Sequence, residues 1–300
     1  MLRDTDLIIG DDNYTKFIGN VVHDGEQKKF GLIPRDYSKH PVGSYANSFL
    51  MRDVRDVPMI AMEEWPERIK ERERTGSQMS QIRLKANGQG GPIPSLDQDG
   101  YGYCWNHSTT SSLIILRMMM NLPYVRLSAF AIGSIIKNFV DEGGWGAQSM
   151  DFCVSGFTRN GRKYLGVPSV EFWPEKSTNR ALATDDRVWQ NAALHVVTEG
   201  FIDVEAAQYD RDLSAQQVGS LLLQDIPVVC DYNWWGHSVC GIDLVDVYPD
   251  RPARDIRRYG VRILNSWRDS WGELGTGVLK DSKAFPDGAV APRAMKVSMA

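Results

Sequence analysis

A cysteine at the start of a long apolar run is the side chain of this sequence best placed to act as a nucleophile. Cys104 follows the glycine-rich turn Gln98-Asp-Gly-Tyr-Gly-Tyr, and no glycine or proline interrupts residues 104–121. Apolar residues recur at helical spacing through this run, which predicts a buried helix that begins at the cysteine. The first turn of a helix offers unsatisfied backbone N–H groups and the positive end of its dipole, and both favour a thiolate over a thiol.

Three more polar residues could complete a hydrolytic site around this thiol. Gln98 lies six residues before Cys104, His237 follows a glycine, and Asn265 opens the motif Asn265-Ser266-Trp267. Hydrolysis of an amide at neutral pH needs a nucleophile, a proton donor for the leaving amine and hydrogen-bond donors for the developing oxyanion. Each of these functions has a candidate in the set, which therefore favours nucleophilic catalysis.

The order and local context of these residues resemble the active-site segments of the papain-like cysteine peptidases. In that family a glutamine stands six residues before a Cys-Trp pair, as Gln98 stands before Cys104-Trp105 here, and a histidine and an Asn-Ser-Trp motif follow. Weaker matches lie between them at Leu127-Ser128, Gly143-Gly144-Trp145 and Gly166-Val167-Pro168. The resemblance covers roughly residues 92–280.

The resemblance implies a role for each catalytic residue. Cys104 would be the nucleophile, paired with a His237 imidazolium that lowers the thiol pKa from ~8.5 into the range ~3.5 to ~7.5 and later protonates the leaving group. The Asn265 side-chain carbonyl would orient the imidazole, and Trp267 would shield that hydrogen bond from water. The Gln98 side chain and the Cys104 backbone N–H would form the oxyanion hole, where one donor is typically worth ~3 to 4 kcal/mol of barrier.

The resemblance also implies a set of substrate-binding residues. Gly143 and Gly144 would offer backbone hydrogen bonds to an extended polypeptide substrate. Trp145 would line the subsite for the residue two before the scissile bond, and we expect an apolar or aromatic preference there. Ser238, next to the histidine, is included in the same set.

The hydrophobic pattern predicts an α+β fold. Helices are expected over residues 62–74, 104–121, 128–140 and 188–199, and the short β-branched segments 226–232, 238–247 and 260–265 indicate an antiparallel sheet. A papain-like fold would place Cys104 on a helical lobe and His237 on a β lobe, with the active site in the cleft between them. We predict an N-terminal extension or arm over residues 1–55 and the peptidase domain over residues 56–300.

Composition and charge argue against several other classes of protein. The net charge of −4 and the pI near 5.8 give no reason to expect nucleic-acid binding. No apolar segment approaches the ~20 residues needed to span a bilayer, and the first six residues do not begin a secretory signal. With Cys104 as the nucleophile the other three cysteines cannot all pair, and Tyr101 stands where secreted members of the family carry a disulfide-bonded cysteine, so we expect a reduced, disulfide-free protein. No Cys/His cluster has zinc-ligand spacing, and we expect no metal site and no cofactor. We expect a cytoplasmic location or one within a macromolecular assembly such as a virion.

Two functions from different classes remain open at this point. The first is a cysteine endopeptidase, and the second is a structural or docking component of a larger assembly in which activity is secondary or lost. The arm and the polar hairpin 246–259 are candidate contacts for protein partners, and the arm could instead be an inhibitory propeptide. Other Cys-His folds, such as cell-wall amidases and transglutaminase-like enzymes, fit less well because they do not account for Asn265-Ser266-Trp267.

Overall fold

Helices fill the middle of the chain, and the longer strands lie in its last third. The computed structural model describes residues 2–19, 21–85 and 91–296. Within these residues the helices are α1 (Trp65–Thr75), α2 (Met79–Arg83), α3 (Cys104–Met119), α4 (Ala129–Ile136), α5 (Gly146–Ser155), α6 (Asp186–Ala192) and α7 (Arg211–Leu222). The strands are β1 (Ile8–Ile9), β2 (Val22–His23), β3 (Glu26–Gln27), β4 (Ser48–Phe49), β5 (Phe157–Arg159), β6 (Arg162–Tyr164), β7 (Val197–Asp203), β8 (Val228–Tyr232), β9 (His237–Asp246), β10 (Tyr259–Leu264), β11 (Thr276–Leu279) and β12 (Gly288–Met295).

One eight-stranded sheet holds most of the strands, which confirms the predicted α+β class. Its order is β1-β11-β10-β9-β8-β12-β7-β4. The six central strands pair antiparallel, whereas β1 and β4 pair parallel with β11 and β7. Both outer strands come from the first fifty residues, so the N-terminal segment supplies the two edges of the sheet.

Helix α3 lies between two apolar cores. Ile115 packs in the core formed by the sheet with α1 and α7, whereas Leu113, Ile114 and Leu116 pack in the core formed with α4, α5 and α6. Seven polar residues, 106–112, occupy the first half of α3, and its second half is largely apolar, yet every residue from Cys104 to Arg117 is buried. The second half of this helix therefore contributes to both cores.

The predicted helices differ from the observed ones mainly at their ends. The helix predicted over 62–74 is a 3-10 turn (Met62–Glu64) followed by α1, which ends at Gly76 with a left-handed φ of 68°. The helix predicted over 128–140 is shorter, with the Ser128 hydroxyl accepting from Ala131 N at 3.2 Å as its N-cap. The prediction over 188–199 is wrong in its second half, because β7 begins at Val197 and pairs with β12, so strand pairing prevails over local helical periodicity there.

The N-terminal segment is fastened to the body by two buried ion pairs. Asp6 is paired with Arg262. Arg35 forms a bidentate ion pair with Asp203, donating to its two carboxylate oxygens at 2.7 and 2.9 Å. The carboxylate of Asp203 also accepts from Gly43 N at 2.8 Å. Residues 29–45, which include Arg35 and Gly43, are called the strap below. The predicted division at residue 55 remains a prediction.

The hairpin predicted over 246–259 is the connection from β9 to β10. Arg258 closes its base by bonding both oxygens of Asp246 at 2.9 and 2.6 Å, and Arg251 stacks on the Tyr248 ring at 4.5 Å. Its expected role in partner binding stays a prediction. Among the described residues, none of the helices combines the length and the apolar character needed to cross a membrane.

Candidate active site

The Cys104 thiol lies at the N-terminus of α3 and is completely buried. Burial raises the pKa of this thiol to about 12, although the backbone N–H groups of Ser238, Gly31 and Trp105 face the sulfur and oppose that shift. One of these three N–H groups, that of Gly31, belongs to the strap. Cys104 therefore lies at the start of a buried helix, as predicted, and the strap covers it, which the sequence did not reveal.

His237 and Asn265 are joined by a hydrogen bond between the ends of two neighbouring strands. His237 Nε2 donates to Asn265 Oδ1 at 2.8 Å, and the same oxygen accepts from Ser266 N at 2.8 Å. This arrangement fixes the proton on Nε2 and leaves Nδ1 as an acceptor. Among the described residues Nδ1 has no hydrogen-bond partner. Burial lowers the pKa of His237 to about 4, against the opposing effect of Asn265.

Three aromatic rings enclose the His237 imidazole. The Trp267 ring lies 5.0 Å from it, as predicted for a shielding residue, and the Trp235 ring lies 4.8 Å away. Phe30 of the strap makes an edge contact at 5.6 Å. Trp235 was not predicted, although the pair Trp234-Trp235 directly before Gly236-His237 was a visible signal. The rings keep water from the hydrogen bond to Asn265.

The Gln98 side chain is held by the residue that follows Asn265. Gln98 Oε1 accepts from Ser266 Oγ at 2.7 Å, and Gln98 N donates to Ser266 O at 3.0 Å. Gln98 Nε2 donates to Tyr101 O at 2.8 Å and to Lys29 O of the strap at 2.7 Å. Ser266 thus orients the amide that was predicted to stabilise an oxyanion, and the amide N–H group is already hydrogen-bonded to the strap.

The strap binds the backbone of Gly144, where an extended substrate was predicted to bind. Gly144 N donates to Gly31 O at 2.9 Å, and Ile33 N donates to Gly144 O at 2.9 Å. Leu32 N donates to Gly236 O at 3.1 Å on the side of the histidine. The segment 29–33 therefore crosses between the predicted substrate-binding glycine and His237, and passes over the thiol.

The close passage of the strap depends on a glycine. A Cβ on Gly31 would lie 1.9 Å from the carbonyl oxygen of Gly102, and one on Gly143 would lie 2.6 Å from Gly31 O. Leu32 then packs on Cys104 and Trp105. A larger residue at position 31 could not enter this space without moving the backbone.

The two other predicted substrate-binding residues also lie at this site. Trp145 donates from Nε1 to the Tyr45 hydroxyl of the strap at 3.0 Å, and His40 lies 5.2 Å from its ring. Ser238 Oγ is hydrogen-bonded to Ser108 Oγ at 2.7 Å, and its backbone N–H faces Cys104. The structure therefore brings all the predicted residues to one region, most of them in contact with the strap.

The thiol and the imidazole are both neutral near pH 7 in this closed arrangement, because burial raises the pKa of Cys104 to about 12 and lowers the pKa of His237 to about 4. The thiolate–imidazolium pair expected from the sequence requires a less enclosed site. Removing the strap would hydrate both groups and restore part of the solvation that favours their charged forms.

A cluster of three carboxylates is the nearest approach to a metal site among the described residues. Ligand atoms of Glu26, Asp97 and Asp99 lie within 4.8 Å of one another. The Arg268 guanidinium bonds Asp97 at 2.5 Å and Glu26 at 3.2 Å, and lies 3.7 Å from Asp99. An arginine therefore already balances the charge that a cation would meet.

Comparison with protein-family models and with curated proteins finds no match. Among solved structures the chain is similar to xylellain, a cysteine protease from Xylella fastidiosa, at 16% identity and a TM-score of 0.49 over 68% of this chain and 84% of that one. It is similar to digestive procathepsin L 3 of Tenebrio molitor larval midgut at 13% identity and a TM-score of 0.49, over 78% and 90% of the two chains. It is also similar to the Amb a 11 cysteine protease, a ragweed pollen allergen in its proform, at 13% identity and a TM-score of 0.48, over 67% and 61%.

Proposed function

We propose that this protein is a cysteine peptidase whose active site is closed by its own strap. The observation that carries the proposal is the bond from His237 Nε2 to Asn265 Oδ1, which turns the unprotonated Nδ1 away from the asparagine. A histidine held in this way can take the proton of a thiol at one nitrogen while the other stays fixed. We assign Cys104, at the helix N-terminus, as the thiol that this histidine deprotonates, although its sulfur forms no hydrogen bond with Nδ1 in the closed arrangement.

The chemistry is an acyl transfer in two steps. The Cys104 sulfur attacks the carbonyl carbon of a peptide bond, and His237 gives the proton it took from the thiol to the leaving amine as the C–N bond breaks. Water then attacks the thioester, His237 accepts its proton, and the sulfur leaves. In each step the negative oxygen is held by the Cys104 backbone N–H and by Gln98 Nε2, which Ser266 keeps in place.

The direction of the strap explains how it can cover the site without being cut. The strap runs from Phe30 near His237, past the thiol at Gly31, to Ile33 at Gly144, and Leu32 pairs with Gly144 in the parallel sense. A substrate must run the other way, because its acyl part lies by Gly144 and its leaving amine by His237. The strap therefore acts as an inhibitor whose backbone runs in the direction opposite to that of a substrate. This favours the interpretation of the arm as an inhibitory propeptide.

Peptide cleavage by a chain with a displaced strap tests the proposal. Gly31→Ala introduces a Cβ where the carbonyl of Gly102 stands, so we expect it to open the site in the full-length chain. This variant should cleave a panel of fluorogenic peptides and react at Cys104 with an epoxide inhibitor of cysteine peptidases, located by mass mapping. Both signals should vanish in Gly31→Ala/Cys104→Ala. A chain that binds the epoxide at no cysteine and cuts no peptide would contradict the peptidase.

A second candidate function, that of a docking component, is favoured by one observation. The thiol and the imidazole are covered and neutral, a state that a protein without activity could keep permanently. In that case Gly31→Ala would cleave nothing, and Cys104→Ala would leave partner binding unchanged. Partner binding should then depend on the N-terminal segment, which can be tested by pull-down of the full chain and of a chain lacking residues 1–51.

A further inference from the structure

A carboxylate that the proposed mechanism does not use lies beside the nucleophile. Asp231 stands in β8 directly opposite Ser238 of β9, next to the pair formed by Tyr232 and His237. The residue is 8% exposed, and its negative charge is one of the causes that raise the pKa of Cys104, after burial. An acid so close to a thiol opposes thiolate formation, so its presence calls for another role.

The two oxygens of this carboxylate are held unequally. Asp231 Oδ2 accepts from Gly146 N, at the start of α5, at 2.8 Å, and the Ser238 side chain, which faces the same carboxylate, lowers its pKa. Oδ1 has no donor within hydrogen-bond distance in the described part of the chain. Burial raises the pKa of Asp231 to about 6. Capping of α5 needs one acceptor, and a neutral amide would supply it at less desolvation cost. The second oxygen and the charge are therefore not explained by the helix.

The strap brings a cation to this side of the site. The Arg35 guanidinium is close enough to Asp231 to lower its pKa, while it forks onto Asp203. Asp231 pairs with Gly288 and Asp203 with Val290, two residues apart on β12, so both acids project from the same face of the sheet. With the strap displaced, this face would present two buried carboxylates without their cation.

We propose that Asp231 makes the subsite next to Trp145 select a basic side chain, so that the protein cleaves peptides with arginine or lysine two residues before the scissile bond. This inference rests on the proposed peptidase function and gives it a substrate class. Arg35 acts in the closed state as an internal stand-in for that side chain, since it supplies the same charge to the same face. The apolar preference expected from Trp145 would then apply only to the methylene stem of the basic residue.

The test compares arginine with citrulline, a neutral side chain of the same shape. Peptides that differ only at this position are offered to full-length Gly31→Ala at fixed ionic strength and pH 7.5. We expect kcat/KM for the arginine peptide to exceed that for the citrulline peptide by about 10-fold or more, as for a charge pair in a desolvated pocket. Gly31→Ala/Asp231→Asn keeps an acceptor for Gly146 N and should bring the ratio close to one. Asp212→Asn, at an exposed acid of α7, is the matched control and should leave the ratio high.

The results that would contradict the subsite differ from those that would contradict the peptidase proposal. Equal cleavage of the two peptides by Gly31→Ala, or a ratio that Asp231→Asn does not change, would overturn the inference while leaving the peptidase intact. Should no peptide be cleaved, the peptidase proposal fails and the subsite is judged by calorimetric titration of Gly31→Ala/Cys104→Ala with the same peptides. About 10-fold tighter binding of the arginine peptide, lost in Asp231→Asn, would support the subsite, and equal or undetectable binding of both would refute it.

Discussion

Leu32 and Gly144 form a parallel bridge in which both main-chain groups of the glycine are used. Gly144 N donates to the carbonyl before Leu32, and Gly144 O accepts from the N–H after it, both at 2.9 Å. The strap thereby satisfies the backbone groups of Gly144 that we propose as the binding site of a peptide substrate. In the proposed peptidase, access to the site is a competition between these two partners, and the first three predictions concern that competition or the groups beneath it.

Displacing the strap should expose the thiol. We expect iodoacetamide at pH 6 to modify Cys104 slowly in the wild-type chain and about 10- to 100-fold faster in Gly31→Ala, because a clash of ~1 to 3 kcal/mol shifts the closed–open equilibrium by that factor. Cys153, Cys230 and Cys240, which are free and buried, should stay unreactive in both. Gly91→Ala is the matched control, since a Cβ there meets no atom of the described residues within 4 Å. Equal rates in the two glycine variants would show that the strap does not protect the thiol.

Asn265 should act through the histidine. In the Gly31→Ala background, Asn265→Ala removes the acceptor of His237 Nε2, so we expect kcat to fall by roughly 10- to 100-fold because the ring loses its tautomer and orientation. Asn265→Asp restores an acceptor and should recover part of the rate. Steady-state kinetics from pH 5 to 9 would measure the loss. A purely structural asparagine would instead lower the unfolding temperature and leave the shape of the pH profile unchanged.

Gln98 should matter for the rate and hardly for substrate affinity. Gln98→Ala in the same background should lower kcat about 100-fold with little change in KM, because its amide acts when the oxyanion forms. Ser266→Ala, which frees Gln98 Oε1, should have a smaller effect in the same direction. Labelling of Cys104 should persist in both variants. A change in KM alone would assign Gln98 to ground-state binding.

Acid should destabilise the folded chain between about pH 6.5 and pH 4. Burial lowers the pKa of His107, His195 and His237 to about 4 in each case, so the unfolded chain binds more protons over this range and the free energy of unfolding falls as the pH falls. Asp231 has the opposite sign, because its raised pKa of about 6 makes the folded chain hold a proton that the unfolded chain releases. His107→Phe should reduce the pH dependence by on the order of 2 kcal/mol, measured by urea unfolding at pH 4.5 and 7. An unchanged slope in this variant would mean that His107 is charged in the folded state.

The elements that carry the candidate catalytic residues could be predicted because their signals are local. A cysteine before a helical run, a Gly-His pair and an Asn-Ser-Trp motif each lie within a few residues, and the helix and strands that carry them are strongly periodic. Trp235 was missed although its signal was equally local, since two adjacent tryptophans are usually assigned to a core.

The path of residues 29–45 could not be predicted from the sequence. The segment has no helical or strand period, and it is held by contacts more than 60 residues away in the chain, such as Lys29 O with Gln98 and Arg35 with Asp203. Nothing in the sequence near Arg35 or Gly31 identifies those partners. The end of the helix predicted over 188–199 failed for the same reason, because pairing of β7 with β12 joins residues almost a hundred positions apart.

The covalent attachment of the strap has a consequence for how the protein responds to dilution. An inhibitor carried on the same chain acts at an effective concentration set by the tether, which is typically millimolar for short links, and that concentration does not fall when the solution is diluted. Both ends of the strap are anchored, by β1 and Asp6 on one side and by β4 on the other. A single cut within residues 10–28 would leave the strap covalently joined to the rest of the chain only on the β4 side, with its ion pair to Asp203 intact. The covalent tether would then have one attachment point where it had two, which lowers the local concentration of the strap without removing one atom from the active site.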